Sequence, residues 1–227
     1  MSIKENLRAF QDDLDAAAAH YGRDAAAIKV MAVSKTRSVE EIVEARAAGL
    51  DLFGENRVEE AAGKFAALDA KDYPLVLIGH LQGNKAAKID RRFSGVHSVD
   101  SEKIAERLSR RRDAEGAPLE ILLQVNTSGE EAKSGFRDRV AFAEAAERIS
   151  RLPMITLRGV MTMAPFVDDE AVVRACFAAC REWSEDIRGL VDGDPVLSMG
   201  MSTDYAWAVA EGSTMLRIGT TLFGRRA

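Results

Sequence analysis

The sequence predicts a (β/α)8 TIM barrel with an extra N-terminal helix, in a single domain covering residues 1–227. Three observations carry this. Eight short apolar, β-branched runs alternate with longer amphipathic stretches, the pattern parallel strands impose because each needs a crossover to its neighbour. The chain has 227 residues, close to the roughly 250 usual for such barrels. No Gly-rich dinucleotide fingerprint follows the first run, which weighs against the open doubly wound sheet that alternation alone also permits.

Taken in order, Ile3–Tyr21 has helical spacing and forms the extra helix. Strands are expected at Lys29–Lys35, Leu50–Gly54, Leu75–His80, Gly95–Val99, Leu119–Asn126, Leu157–Met163, Val196–Met201 and Met215–Phe223. Ser38 and Glu41 form a capping-box signature that opens the first crossover helix, and Gly49 closes it. Further helical patterns cover Val58–Leu68, Asn84–Asp90, Ser101–Ala114, Asp138–Arg151, Asp169–Leu190 and Tyr205–Glu211. No linker-like stretch divides the chain.

Composition excludes several classes of function. With 47% hydrophobic and 30% charged residues the chain is neither disordered nor low-complexity. A net charge of −5 disfavours a nucleic-acid-binding domain. The one basic run, Arg107 with Arg110, Arg111 and Arg112, falls where a helix ends and cations are favoured, so it reads as a solvated helix terminus. Cys176 and Cys180 are too few for a disulfide framework. Their spacing puts them on one helix face, as core residues of a reducing compartment. No further ligands accompany them, so no metal is expected. The first residues lack the apolar segment of a signal peptide, and no apolar run reaches the roughly 18 residues of a membrane span. A soluble, cytoplasmic protein is expected.

In such barrels the chemistry lies at the carboxyl ends of the strands. Alternation places Met31, Val33 and Lys35 on one face of the first strand. Facing inward, the lysine would emerge at the mouth among apolar neighbours, which favours a neutral, nucleophilic amine. Facing outward, it would simply snorkel to solvent. Glu55, Asn56 and Arg57 after the second strand and His80 after the third release polar groups at the same rim. His80 lacks an evident partner serine or cysteine, which favours an orienting or packing role over acid–base work. Barrels commonly bind phosphate with the loops after strands seven and eight. Ser202, Gly219 and Thr220 supply the hydroxyls and the close backbone approach for this, and Arg217 shares a strand face with Gly219. Alternatively, Arg217 pairs with a carboxylate. Met161, Met163, Met199 and Met201 read as pliable packing. The loop Gly129–Phe136 reads equally as a lid or a solvated turn.

A strand-one lysine, a phosphate cradle at strands seven and eight and a neighbouring arginine are what pyridoxal phosphate requires. Six strings then stand in order: Ala32-Val33-Ser34-Lys35-Thr36; Phe53-Gly54-Glu55-Asn56; Ile78-Gly79-His80-Leu81-Gln82 with Asn84-Lys85; Leu157-Arg158-Gly159 with Met161-Thr162-Met163-Ala164-Pro165; Leu197-Ser198-Met199-Gly200-Met201-Ser202; and Gly212-Ser213-Thr214-Met215 with Arg217-Ile218-Gly219-Thr220. Together they resemble the pyridoxal phosphate homeostasis protein family, from the first strand to Gly224. The resemblance implies a barrel like the alanine racemase N-terminal domain. It makes Lys35 the Schiff-base lysine holding pyridoxal 5′-phosphate as an aldimine, and sets Arg217 against the pyridine nitrogen. It also gives the phosphate to Ser202, Gly219 and Thr220, and places Asn56 near the ring. Arg37-Ser38, Leu75-Val76 and Ala206 depart from the common family pattern without removing a proposed ligand.

An arginine opposite the pyridine nitrogen makes the ring a weak electron sink, and racemisation needs an acid–base group on each face of the substrate carbon. A 227-residue chain leaves little room for the second domain that supplies one. The expectation is therefore a non-enzymatic binding protein with no catalytic residues. It would act in intracellular pyridoxal phosphate homeostasis and pass the cofactor to apo-enzymes. The chain is expected to be a monomer, since no long apolar surface helix argues for a dimer. The alternatives are a pyridoxal phosphate-dependent amino-acid racemase and, outside that chemistry, a sugar-phosphate isomerase using Lys35 or His80.

Overall fold

The computed structural model describes residues 2–224. Eight parallel strands close into a barrel in chain order. They are β1 (Lys29–Val33), β2 (Phe53–Glu55), β3 (Leu75–Leu77), β4 (Phe93–Val99), β5 (Leu119–Gln124), β6 (Ile155–Met161), β7 (Val196–Ser198) and β8 (Met215–Ile218). The ring closes where β8 pairs with β1, from Lys29 opposite Met215 to Ala32 opposite Ile218. Around it lie α1 (Ile3–His20), α2 (Val39–Ala47), α3 (Val58–Lys64), α4 (Glu102–Asp113), α5 (Arg139–Ser150), α6 (Glu170–Glu185), α7 (Tyr205–Ala210) and the single turn α8 (Thr220–Phe223). The barrel expected from the sequence is the one observed.

Local chemistry sets the element ends. Ser38 accepts from the Glu41 N–H at 3.2 Å while Glu41 accepts from the Ser38 N–H at 2.7 Å, the reciprocal capping box expected at α2. Gly49 follows that helix at φ 115°, a conformation that favours glycine. Packing divides into two clusters. The larger lies between barrel and helices and includes Phe53, Phe93, Phe142 and Phe177. The smaller joins Met31, Leu52, Val76 and Met215, which alternation turns into the ring. Cys176 and Cys180 are buried on α6, where burial pushes both thiols up. The N-terminal α1 packs on α7 and α8, with Phe10 edge-on to Tyr205. Among the described residues no helix is long and apolar enough to cross a membrane, and no group of three or more His, Cys, Asp or Glu is placed to hold a metal ion.

Four expectations are corrected. The run Met215–Phe223 is strand only to Ile218, because α8 begins after Gly219 and closes with a Gly224 N–H to Thr220 carbonyl bond of 2.9 Å. Periodicity cannot separate a strand from one apolar helical turn. The segment Asn84–Asp90 is a 3-10 turn, Gly83–Lys88, rather than a crossover α-helix. The long helix Asp169–Leu190 stops at Glu185 and continues, after a break, as a 3-10 turn containing Gly189, a residue that weakens helices. Arg112 is not a solvated helix end. It is buried and donates to the carbonyls of Asp90 at 2.7 Å, Ala117 at 2.9 Å and Pro118 at 3.0 Å, tying α4 to the loops on either side.

Candidate functional site

The carboxyl ends of the strands open into a cavity of about 480 Å³. Lys35, Asn56, Ser202, Arg217, Gly219 and Thr220 all line it. Residues separated by up to 185 positions in the chain, Lys35 to Thr220, are thus brought to one mouth.

Each is placed by a local device. Lys35 follows β1 in a turn whose next residue, Thr36, is held at φ 64°. Asn56 follows β2, and Gly79 lets the end of β3 approach it closely. A Cβ on Gly79 would sit 2.2 Å from the Asn56 carbonyl oxygen, which no larger residue tolerates. Ser202 lies in a turn fixed from both ends. The Met201 N–H donates to Asp204 Oδ1 at 2.5 Å, and the Asp204 N–H donates to the Met201 carbonyl at 3.1 Å. Burial pushes the Asp204 carboxyl up, against the Met201 hydrogen bond and the Arg217 charge. The Ser202 hydroxyl accepts from the Thr221 N–H at 3.4 Å, joining the loops after β7 and β8. Gly219 precedes α8, whose first N–H groups have no intrahelical acceptor.

Arg217 enters from β8 and is buried. Nη1 donates to the Ser198 carbonyl at 2.6 Å and to the Ser198 hydroxyl at 2.9 Å, while Nη2 donates to the Thr162 carbonyl at 2.7 Å. It makes no ion pair among the described residues, so the carboxylate-pairing alternative is set aside. Burial lowers its pKa to about 10, opposed by Asp204 and Cys180. It remains a guanidinium at neutral pH. His97 is buried on β4, its pKa lowered to about 3 by burial and by the charges of Arg217 and Lys29.

Glu55 is not at the rim. It is fully buried and turns outward to α3, with Oε1 2.6 Å from Lys64 Nζ. The sequence left Gln124, Phe166 and Thr203 unmarked among the lining residues, and the loop it read as a lid or a solvated turn brings Lys133 and Ser134 to the cavity. The Gln124 side chain donates to the Ser134 carbonyl at 2.8 Å, and the Asn126 side chain donates to the carbonyls of Glu130 and Lys133 at 2.9 Å each. Lys133 Nζ crosses to the Ala164 carbonyl at 2.8 Å. The loop Gly129–Phe136 is thus a tied wall of the cavity, with only Glu130, Glu131 and their immediate neighbours turned to solvent. Positive φ values at Gly129 and Gly135 shape it, and those glycines were the one sequence signal for a compact loop. His80 also lines the cavity. Its Nδ1 lies 3.1 Å from Asp100 Oδ2 and 3.0 Å from Ser134 Oγ, an orienting position between β3 and the loop.

Comparison with known proteins places this geometry. Residues 6–227 match the family described as "Alanine racemase, N-terminal domain". A Pseudomonas aeruginosa protein named "Pyridoxal phosphate homeostasis protein" is 45% identical over 99% of this chain and 96% of its own length. A Vibrio cholerae protein of the same name is 41% identical over 99% of this chain and 97% of its own. The structure of PipY from Synechococcus elongatus with PLP bound superposes with a TM-score of 0.85, at 36% identity, covering 98% of this chain and all of that one.

Proposed function

The chain belongs to the pyridoxal phosphate homeostasis protein family, and on that premise we propose that its barrel mouth binds pyridoxal 5′-phosphate and that it serves cofactor supply rather than catalysis. The observation that carries this is the convergence on one cavity of an amine, Lys35, a hydroxyl, Ser202, the start of α8 at Gly219 and Thr220, and the Arg217 guanidinium. That donor set fits the group. When bound, pyridoxal 5′-phosphate supplies an aldehyde that condenses with a primary amine, a phosphate, and a pyridine ring that accepts electrons.

Lys35 provides the amine that holds the aldehyde. Ser202, Gly219 and Thr220 provide short-range donors to the phosphate dianion. Arg217 is fixed by three hydrogen bonds and keeps Nε–H and one Nη2–H for the pyridine nitrogen. A guanidinium donates without giving up its proton, so Arg217 keeps that nitrogen an acceptor and weakens the ring as an electron sink. Asn56 lines the same cavity and would border the ring. His80, engaged with Asp100 and Ser134, orients the loop wall rather than serving as a second acid–base group. These assignments support a carrier that holds the cofactor and releases it to apo-enzymes.

Adding pyridoxal 5′-phosphate to the purified protein tests the reading. An imine absorbance band that borohydride traps on Lys35, and that Lys35→Ala loses, is the expected result. A protein that gains no band overturns it. Incubating the loaded protein with single-enantiomer amino acids in D2O separates carrier from racemase, and sustained α-proton exchange with turnover overturns the carrier role.

A further inference from the structure

Lys35 sits in a turn whose two flanking main-chain groups are gripped by one charged cluster. Lys64 Nζ donates to the Ser34 carbonyl at 2.7 Å and lies 2.6 Å from Glu55 Oε1 and 2.9 Å from Glu60 Oε1. Glu60 Oε1 also accepts from the Thr36 N–H at 2.6 Å, and the Ser34 hydroxyl donates to Glu55 Oε1 at 2.7 Å. The carbonyl before Lys35 and the amide after it therefore meet on the same ammonium–carboxylate cluster, formed by Glu60 and Lys64 of α3 with Glu55 of β2. An ammonium has three N–H donors, and Lys64 has three acceptors here.

The cluster is costly to build. Glu55 is fully buried, its Oε2 has no hydrogen-bond partner among the described residues, and burial raises its pKa against the pull of Lys64 and Ser34. An apolar replacement of a buried ion pair is often as stable or more so, so stability does not account for the arrangement. Geometry does. Thr36 holds φ 64°, a left-handed conformation that a β-branched residue keeps only where its surroundings enforce it. Glu60 bonds the amide of that residue, and Lys64 bonds the carbonyl two residues earlier. Neither Glu60 nor Lys64 lines the cavity, so both act through the turn.

We infer that Lys64 and Glu60, anchored by Glu55, are positioning residues that fix the turn 34–36 and hence the direction from which the Lys35 amine meets an aldehyde. The inference rests on the assignment of Lys35 above. It separates binding of the aldehyde from binding of the rest of the ligand. Pyridoxine 5′-phosphate, an alcohol in place of the aldehyde, uses the ring and phosphate contacts but makes no bond to Lys35.

The experiment compares the affinities of pyridoxal 5′-phosphate and pyridoxine 5′-phosphate in the full chain and in its Lys64→Met and Glu60→Ala variants. Glu60 is the more exposed partner, so its variant keeps the measurement available if Lys64→Met does not fold. The expected result is a preference for the aldehyde reduced by about tenfold or more, with pyridoxine 5′-phosphate bound as in the unsubstituted chain. The midpoint pH of the imine band should shift with it. An unchanged preference, or an equal loss of both ligands, overturns the positioning role. An unsubstituted chain without a Lys35-dependent band instead overturns the assignment beneath it, and the inference with it.

Discussion

Arg217 on β8 donates to both the carbonyl and the hydroxyl of Ser198 on β7, at 2.6 and 2.9 Å, so a side chain at the cavity floor also stitches adjacent strands together. Arg217→Met removes these bonds and the bond to the Thr162 carbonyl in a buried setting. Stability should fall by about 1–3 kcal/mol, and affinity for pyridoxal 5′-phosphate should fall more than it does in Ser198→Ala, which loses a single bond. Denaturant unfolding and equilibrium titration measure the two effects. Unchanged stability would mean that water replaces the guanidinium at those carbonyls.

Ser202→Ala isolates the phosphate assignment. Ser202 is half-buried and its bond from the Thr221 N–H is long, 3.4 Å, so its removal should leave the unfolding midpoint near that of the unsubstituted chain. Losing one hydrogen bond to a charged group, about 1.5 kcal/mol or more, should weaken cofactor retention roughly tenfold or more. Equal retention in the variant counts against this ligand.

His97 makes stability acid-sensitive, and the sign can be worked out. Burial holds its pKa at about 3 in the folded chain against an ordinary value of 6.5. Between these values the unfolded chain binds a proton that the folded chain refuses, so stability rises with pH across the window. The contribution is fully present above pH 6.5 and is lost as pH falls towards 3. His97→Leu should flatten that limb of a stability-against-pH curve, the difference between the two proteins cancelling the shared carboxylates. Parallel curves would show that His97 is not buried neutral.

Arg112→Ala probes the buried end of α4. Three carbonyls lose their donor, which should cost about 2–4 kcal/mol in urea unfolding. Arg112→Lys should recover only part of this, because an ammonium cannot span three carbonyls as a planar fork does. Full recovery by lysine would reduce the arginine to a point charge.

The ring of eight strands was legible because buried parallel strands leave continuous apolar runs and crossover helices leave periodic ones. The lining of the cavity was legible where a polar residue stands at a strand end, as with Lys35, Arg217 and Ser202. It was not legible where function depends on a contact between elements. Glu55 reads like its rim neighbour Asn56, yet one step along β2 turns it from the cavity to α3. Nothing in the spacing of Glu55 and Lys64 says that they meet. Arg112 reads as one more cation of a basic run, because helix ends attract cations whether solvent or main-chain carbonyls receive them. The loop Gly129–Phe136 offered acidic residues as its obvious feature, whereas its order comes from the Gln124 and Asn126 amides beneath it.

The two thiols on α6 give the molecule an internal clock. A thiol reacts as its thiolate, and Cys176 and Cys180 are both buried and displaced away from that form. Alkylation must therefore wait for α6 to lift from the barrel. Its rate counts openings of the fold, not encounters at the surface. A ligand that grips the mouth would slow that clock without touching either sulfur.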